Sequence, residues 1–406
     1  LETQRVANQL RAGAGKAAII TELLVNYLNT DKQSVPRDYR LITSEWMSSY
    51  FANTDINNKF IYTFDDKSYY NFDSPQPKGV SVNFAWDFPT YPWVDPITRT
   101  KPSPQFVAVL PAGRVWGANG TVITPDHKLL WDVSVDYVAN YSKHPVFSAG
   151  SLPPVVRIAG TIAVLAFTAS KNPYHWMFDV IPRIQFIRQS GIKVDKYVLD
   201  VSQLLPYQEE MLSVLGISRQ QIIACSAQTH IEADRLVAAS LAGCNGYPPR
   251  STCTFIRKQF LSRFSSPSAE FKRIYISRGD APSRRIANEA EMMKLLDTHG
   301  FKKILLEKLS LAERIRIFSS AEAVISPHGA GLANLVFCKP GTKVIEVFNP
   351  SYAFPCYWNI SKNCGLDYYY LLGERRMRSP HSWPGGEDIN IKMSALDQTL
   401  KLASIH

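Results

Sequence analysis

From Arg273 onward, short apolar runs alternate with amphipathic segments, the order expected of a parallel α/β unit. Arg273-Ile-Tyr-Ile-Ser277 predicts a strand, and Ile286 to His299 a helix with Ala287, Ala290, Met293 and Leu296 along one side and Gly300 as terminator. Lys303 to Leu306 predicts the next strand. Ser310-Leu-Ala-Glu313 then opens a helix as a capping box, in which the Ser and Glu side chains satisfy each other's backbone amides. Ala323 to Ser326, Thr342 to Phe348 and Leu366 to Leu371 add three more strands, so this part of the chain reads as a Rossmann-like domain. Upstream, Val107 to Val135 alternates in strand fashion around Gly117-Ala-Asn-Gly120, and Ile162 to Thr168 is an apolar strand. Glu2 to Asn29 has helical spacing broken by Gly13 and Gly15, which predicts two short helices. Phe60 to Pro104 is rich in Pro, Asp and aromatic residues and is expected to pack on the body of the protein, because its Trp and Tyr content is too high to leave in water. Ser394 to Ala403 predicts a last helix.

Ligands of such sheets bind outside the carboxyl ends of the strands, so residues there carry extra weight. Ile325-Ser-Pro-His-Gly-Ala-Gly-Leu-Ala-Asn334 places a tight turn between strand and helix. Gly329 and Gly331 let the backbone approach a ligand. The free amides of the following turn, around Ala330, and the positive end of the dipole suit an anion such as a pyrophosphate. The dinucleotide fingerprint fails, because Asn334 stands at its third glycine. Ser277 and Arg278 follow the first strand; Arg278 is either a fork for phosphate or a surface ion pair. Glu346, near the end of the fourth strand, either binds ribose hydroxyls or forms a salt bridge at the sheet edge.

A second candidate lies in Lys171-Asn-Pro-Tyr-His-Trp-Met-Phe-Asp-Val-Ile-Pro-Arg183. If Tyr174 to Ile181 is helical, His175 and Asp179 project from one face a turn apart, so imidazole and carboxylate can act on one substrate or bond each other. A carboxylate near a hydroxyl is the usual base for making an alcohol nucleophilic. The competing reading is that both are structural polar residues in an aromatic-rich helix.

Taken in order, Asn172, His175, Trp176, Asp179, Pro182 and Arg183, then Tyr275 to Arg278, Arg285, Asn288 and Glu289, then His328 to Asn334, then Pro340, Gly341, Thr342, Ile345 and Glu346, form a pattern that resembles the family 61 glycosyltransferases. The resemblance runs from about Val107 to Gly373. It implies a GT-B architecture, an α/β fold of two Rossmann-like domains facing across a cleft, here with an N-terminal helical and loop-rich extension. The divisions implied are 1–104 for the extension, 105–270 for the acceptor domain, 271–375 for the nucleotide-sugar domain, and 376–406 for a segment returning to the N-terminal domain. It also implies an inverting transferase acting on a glycan or glycoconjugate acceptor from a nucleotide-sugar donor, UDP-xylose or UDP-N-acetylglucosamine in plant and animal members. Ser277, Arg278, Arg285, Asn288, His328, Gly329, Ala330, Gly331, Asn334 and Glu346 then fall on the donor side and Asn172, Trp176 and Arg183 on the acceptor side. Asp179 becomes the general base, with His175 orienting it or binding the acceptor; His175 as base is the alternative. No Asp-x-Asp motif sits at a strand end, so neither metal nor cofactor is expected. A non-catalytic nucleotide-sugar or glycan-binding relative is the rival class.

Bulk properties change this picture little. The chain has 406 residues, 45% hydrophobic and 12% aromatic, which is globular and long enough for two domains. Its net charge of +10 suits nucleotide diphosphates, acidic glycans or peripheral association with anionic lipid surfaces. Nucleic acid is disfavoured, because the Lys and Arg are scattered and form no known motif. The six cysteines fit no zinc spacing. They suit reduced core thiols, although Cys244 with Cys253 or Cys356 with Cys364 could close short loops in a lumenal enzyme. Asn119, Asn140 and Asn359 begin sequons. No run of 18 apolar residues occurs. The chain begins at Leu1, so an upstream signal or anchor is an open expectation, and so is the compartment.

The Arg375 to Gly386 stretch reads as an exposed basic loop, with lining of the cleft as the other reading.

Overall fold

The computed structural model describes residues 35–36, 38–40, 43–50, 60–64, 78–80, 105–136, 141–200, 204–243, 247–264, 271–375 and 385–406. The helices expected over 2–29, most of the Pro-rich stretch, most of the basic loop after Arg375, Cys244 and Asn140 lie outside them.

Two sheets build an α/β protein. β1 (Asp38–Arg40) and β2 (Ile61–Phe64) belong to the first sheet, and β3 (Lys78–Val80) crosses to the second. The first sheet is completed by β4 (Gln105–Pro111), β5 (Arg114–Trp116), β6 (Thr121–Ile123), β7 (Lys128–Leu130), β8 (Val156–Val164), β9 (Lys196–Leu199), β10 (Ile222–Ala224) and β11 (His230–Ala239). Its centre is the parallel run β11-β8-β9-β10, with Leu236 beside Ile162 and Val164 beside Val198. On the other side β11 pairs antiparallel with β5 at one end and β4 at the other. The strand expected at Ile162 to Thr168 therefore starts and ends earlier, and its last residues form the turn that leads to the His175 helix.

The second sheet contains β12 (Arg273–Ile276), β13 (Lys302–Ile304), β14 (Ala323–Pro327), β15 (Lys343–Phe348) and β16 (Asp367–Leu372) in the order β13-β12-β14-β15-β16-β3, every pair parallel. Successive strand residues face opposite sides. Ile274, Ile276, Val324 and Val344 join one cluster, which also takes in Leu311, Ile315 and Phe318, while Tyr275, Ile325, Ile345 and Val347 join another with Met292, Leu296, Leu396 and Leu400. Both faces are thus covered, which a parallel sheet requires. Gly300, at φ 72°, ends the helix Glu289–Thr298. The Ser310 capping box forms as the sequence predicts, with Glu313 Oε2 accepting from Ser310 N at 2.8 Å.

Three expectations are corrected. The last helix, Met393–Leu402, expected to return to the N-terminal domain, lies on the second sheet; Leu396, Leu400 and Ile405 pack beneath Ile345 and Leu371, whose open face they fill. The segment expected as an N-terminal appendage supplies β1 and β2 to the first sheet and β3 to the second, so it is the part that crosses. Cys225, Cys253, Cys338, Cys356 and Cys364 are buried free thiols, as the reduced-thiol reading expects, and it is the disulfide alternative that is corrected. Cys356 and Cys364 cannot close a loop, because they cap the two ends of one helix, about 12 Å apart along its axis and beyond disulfide reach.

The first cluster also contains Val107, Leu165, Val237, Trp176 and Phe178, so one apolar core runs through both halves.

Candidate active site

After β8 the chain turns, and Asn172 caps a new helix by accepting from Tyr174 N at 2.9 Å, with Pro173 in the first position, where its missing N–H costs nothing. The helix runs Pro173–His175, widens to a π turn over Trp176–Val180, and resumes as Ile181–Gln189. Pro182 explains the widening: its ring would clash with the carbonyl four residues back and it offers no N–H, so a looser turn before it relieves both problems. The turn keeps His175 beside Asp179, with Nδ1 to Oδ2 at 2.6 Å. With the carboxylate accepting, Nδ1 carries the hydrogen and Nε2 is left as the acceptor of the ring. The imidazole is the more open partner, 23% exposed against 13% for the carboxylate.

Trp176 and Arg183 stand on the same helix, but both lie in the core. Both were expected on the acceptor side, and both side chains are closed off from solvent. Asn172 is exposed, with its side-chain oxygen engaged as the cap.

The donor-side residues gather at the carboxyl ends of β12, β14 and β15. Ser277 Oγ donates to Glu289 at 2.5 Å and accepts from Gly279 N at 3.1 Å. Glu289 also accepts from Tyr275 Oη and Lys303 Nζ. Arg278 donates from Nε to Ser283 O at 3.1 Å and lies across Gly329. A Cβ built on Gly329 would be 1.9 Å from Arg278 Nη1. Since φ at Gly329 is 176°, ordinary extended backbone, this position needs glycine for space alone, and the group that fills the space is the guanidinium. At Gly331 a Cβ would meet Leu306 Cδ1 at 2.9 Å. The helix that follows, Ala330–Phe337, is 3₁₀ in type, and it leaves its first amides without acceptors inside the helix, as an α-helix would. Asn334 is buried and donates to Gly331 O at 2.9 Å, so it ties the turn together rather than facing a ligand.

Three further expectations change. Glu346 is fully buried on a central strand: Oε1 pairs with His328 Nδ1 and Oε2 accepts from Tyr368 Oη at 2.5 Å, which leaves nothing for ribose and places it away from any sheet edge. Asn288 binds both N and O of Ile391, at 2.9 and 2.8 Å, and holds the C-terminal segment. Arg285 points to Asp388, with Nη2 to Oδ2 at 3.0 Å. Its neighbour Arg284 turns inward instead. Arg284 takes φ 55°, a strained value for a side chain of that size, and sets its guanidinium 5.1 Å from the Tyr352 ring centre. Sequence reasoning missed Arg284, Tyr352 and Tyr357; the last two follow the carboxyl end of β15, where position alone could have marked them.

His328 sits at the meeting point. Its ring is 5.2 Å from Tyr352 and from Tyr357 and 5.4 Å from Phe348. Burial and then the positive charges of Arg284 and Arg278 hold its imidazole well below the usual histidine range. Burial likewise holds Glu346 well above the usual carboxylate range, so the pair carries one shared proton and no net charge. Burial, with Arg284 second, lowers Arg278 as well, the mark of a cation partly desolvated beside a like charge. The two clusters then touch: Tyr174, next to His175, packs edge-on against Tyr357 at 5.7 Å. Two arginines, a glycine turn with free amides and a buried neutral histidine thus stand across a tyrosine seam from an imidazole–carboxylate pair. Such a site can hold an anionic leaving group on one side and remove a proton on the other. Among the described residues no group of three or more His, Cys, Asp or Glu is arranged to hold a metal, and no helix is long and apolar enough to cross a membrane.

Residues 174–345 match the Glycosyltransferase 61 family model, a span of less than half the chain that includes His175, Asp179, Arg278 and the 328–334 turn. Over 95 residues the chain is 37% identical to beta-1,2-xylosyltransferase RCN11 of Oryza sativa subsp. japonica, covering 21% of this chain and 18% of that protein. Over 67 residues it is 32% identical to beta-1,2-xylosyltransferase of Arabidopsis thaliana, covering 16% and 12%. Over 129 residues it is 30% identical to protein O-linked-mannose beta-1,4-N-acetylglucosaminyltransferase 2 of Bos taurus, covering 30% and 22%. The similarity therefore spans about a fifth or less of each of these relatives.

Proposed function

We propose that this chain, which carries a glycosyltransferase family 61 domain, moves a sugar from a nucleotide diphosphate donor to a hydroxyl of a glycan or glycoconjugate, with inversion at the anomeric carbon. Xylose and N-acetylglucosamine are the sugars to try first, since the matched relatives are a xylosyltransferase and an N-acetylglucosaminyltransferase, and UDP is the carrier to try first. The two parallel-rich sheets suit a GT-B arrangement with the cleft along the Tyr174–Tyr357 seam. The observation that carries the reading is that seam, where the His175–Asp179 pair meets Arg278, Arg284 and Gly329.

In this mechanism His175 Nε2 takes the proton of the acceptor hydroxyl as its oxygen forms a bond to the anomeric carbon. The bond from that carbon to the diphosphate oxygen breaks, and the electron pair leaves with the diphosphate. Arg278, Arg284 and the amides at the start of the 330–337 helix stabilise the charge that develops. Asp179 orients the imidazole and stabilises the imidazolium, as a carboxylate behind a catalytic histidine does. The relative openness of the imidazole favours His175 over Asp179 as base. Cationic side chains and amides meet the need for charge stabilisation, so the reading is of metal-independent transfer.

The test is transfer from UDP-xylose and UDP-N-acetylglucosamine to an array of glycan acceptors, with the anomeric configuration of the product read by NMR. A product that retains the donor configuration sinks the inverting mechanism. The absence of both transfer and thermal stabilisation by every nucleotide diphosphate sinks the donor site itself.

A further inference from the structure

The helix that carries His175 and Asp179 buries a further charge. Arg183 is 1% exposed, donates from Nη1 to Ala166 O at 3.2 Å, and leaves its Nε without an acceptor. Burial pushes it down to about 10, with Asp179 acting in the opposite sense, so it is a cation at neutral pH. Burying a cation with so few partners is costly, and an apolar residue would fill the same space without that cost. A charge kept there calls for a use. His175, Asp179 and Arg183 follow one another along this helix, with His175 bonded to Asp179 across the π turn. Phe167 supplies the second link: its ring centre is 5.3 Å from the Arg183 guanidinium carbon and 6.0 Å from the His175 ring, so it stands in reach of both.

We propose that Arg183 is a positioning residue whose buried charge, with Phe167, fixes the Asp179 carboxylate and the His175 ring in the geometry that presents Nε2 to the acceptor. This rests on the reading of His175 as the base. The buried charge attracts the carboxylate, and Phe167, in reach of both the guanidinium and the imidazole, limits how the ring can turn. A ring held by both an Nδ1–H···Oδ2 bond and a packed aromatic has one tautomer and one orientation.

The experiment compares Arg183→Met, Arg183→Lys and Phe167→Leu with wild type, reading the ring nitrogens of His175 by ¹H–¹⁵N NMR, assigned with His175→Gln, alongside transfer kinetics and UDP affinity. Arg183→Met is expected to replace the single Nδ1–H signature by a mixture and to lower kcat roughly 10- to 100-fold, as loss of an outer partner does at other tuned histidines. Donor KM and UDP affinity should stay as in wild type. Arg183→Lys, which keeps the charge, should restore most of the signature and the rate; a role confined to filling space would be served as well by Met as by Lys. A wild-type tautomer and rate in Arg183→Met overturn the proposal. Should Arg183→Met fail to fold, Phe167→Leu decides: the same signature at smaller size supports the proposal, and an unchanged ring and rate overturn it. Spectra that depend on Arg183 in a protein that transfers no sugar support the positioning and overturn the base assignment instead.

Discussion

Replacing Gly329 by alanine isolates the close approach of Arg278 to the donor turn. The new Cβ would lie 1.9 Å from Arg278 Nη1, 2.9 Å from Cζ and 3.4 Å from Nε. Non-bonded heavy atoms prefer roughly 3.5 Å or more, so the guanidinium must retreat by about 1.5 Å. The backbone at Gly329, with φ 176°, accepts alanine without strain, and the obstructing atoms are the far end of a flexible side chain. The fold should therefore tolerate the change, losing at most the Nε to Ser283 O bond, about 1.5–3 kcal/mol or a few degrees in Tm. Binding should suffer as well. A charge-assisted bond from Arg278 to a phosphate oxygen contributes about 1.5–3 kcal/mol, so its loss weakens nucleotide diphosphate affinity roughly 10- to 100-fold.

Calorimetric titration with UDP, beside thermal melts without ligand, measures both quantities. Arg278→Ala should weaken binding by a similar factor, and the double variant should be no worse than Arg278→Ala alone, because both changes remove one contact. A Kd for Gly329→Ala within twofold of wild type, or costs that add in the double variant, would refute the placement of the phosphates at this turn.

Other outcomes follow from the same geometry. His175→Gln and Asp179→Asn should each leave UDP affinity intact while lowering kcat, the former by about 10²- to 10⁴-fold; a larger loss in Asp179→Asn than in His175→Gln would return the base to the carboxylate. Transfer should persist in EDTA, and activity restored only by Mn²⁺ would contradict the metal-free reading. Glu346→Gln should be tolerated, since an amide reproduces a protonated carboxyl that donates to His328 Nδ1 and accepts from Tyr368 Oη, whereas Glu346→Leu strands both partners and costs about 2–4 kcal/mol in a denaturation midpoint. Equal losses in the two variants would mean an ionic pair. Asp132, which accepts from Thr43 N at 2.7 Å and Oγ1 at 2.5 Å, is pushed up from 3.8 to about 6 by burial. The folded state then holds this proton more tightly than the unfolded state, so the stabilisation is fully present below pH 3.8 and is lost as the pH rises through about 6. The difference in stability between wild type and Asp132→Asn should change across that window by up to about 3 kcal/mol, and a flat difference would show that folding leaves the proton affinity of this carboxyl unchanged.

Much of the second sheet was legible because it depends on local pattern. Apolar runs of strand length, the Ser310 capping box and the terminating Gly300 act within a few residues, and each sits where the periodicity places it. The donor-side residues divided by how far away their partners lie. Arg278 and Gly329 were marked by their position past strand ends, but the reason for glycine was not readable, because the atom that fills its empty space belongs to a residue about fifty positions earlier. Arg285, Asn288 and Glu346 carried the right residue types for a ligand, yet each had already found a partner. Asp388 and Ile391 lie 103 residues from Arg285 and Asn288 respectively, on a segment whose path the sequence does not betray. Glu346 read as a ribose ligand or an edge salt bridge because the place of β15 inside the sheet is set by pairing between distant strands. The final helix was misplaced for a similar cause: its apolar face is plain, and which sheet it covers is decided by tertiary packing alone.

The position of Arg257 bears on how firmly the donor turn is held. This residue lies on Arg250–Phe264, the long helix between the two sheets in sequence, and its Nη1 donates to Val336 O at 2.7 Å and to Cys338 O at 2.6 Å. Those are carbonyls at the end of the 3₁₀ helix whose first turn contains the free amides. A cation there satisfies acceptors that the helix end leaves open and complements the negative end of its dipole. The same short helix is tied at its start by Asn334 on Gly331 O, with the Arg278 guanidinium lying across Gly329. Held at both ends, its amides need little reorganisation when an anion arrives, which is the condition for backbone groups to stabilise developing charge strongly. Because the connecting helix also packs in the core that includes Trp176 and Phe178, the brace on the donor turn and the floor of the His175 helix are one body. A change in either half of the site is thereby transmitted as a packing change and not only as a lost contact.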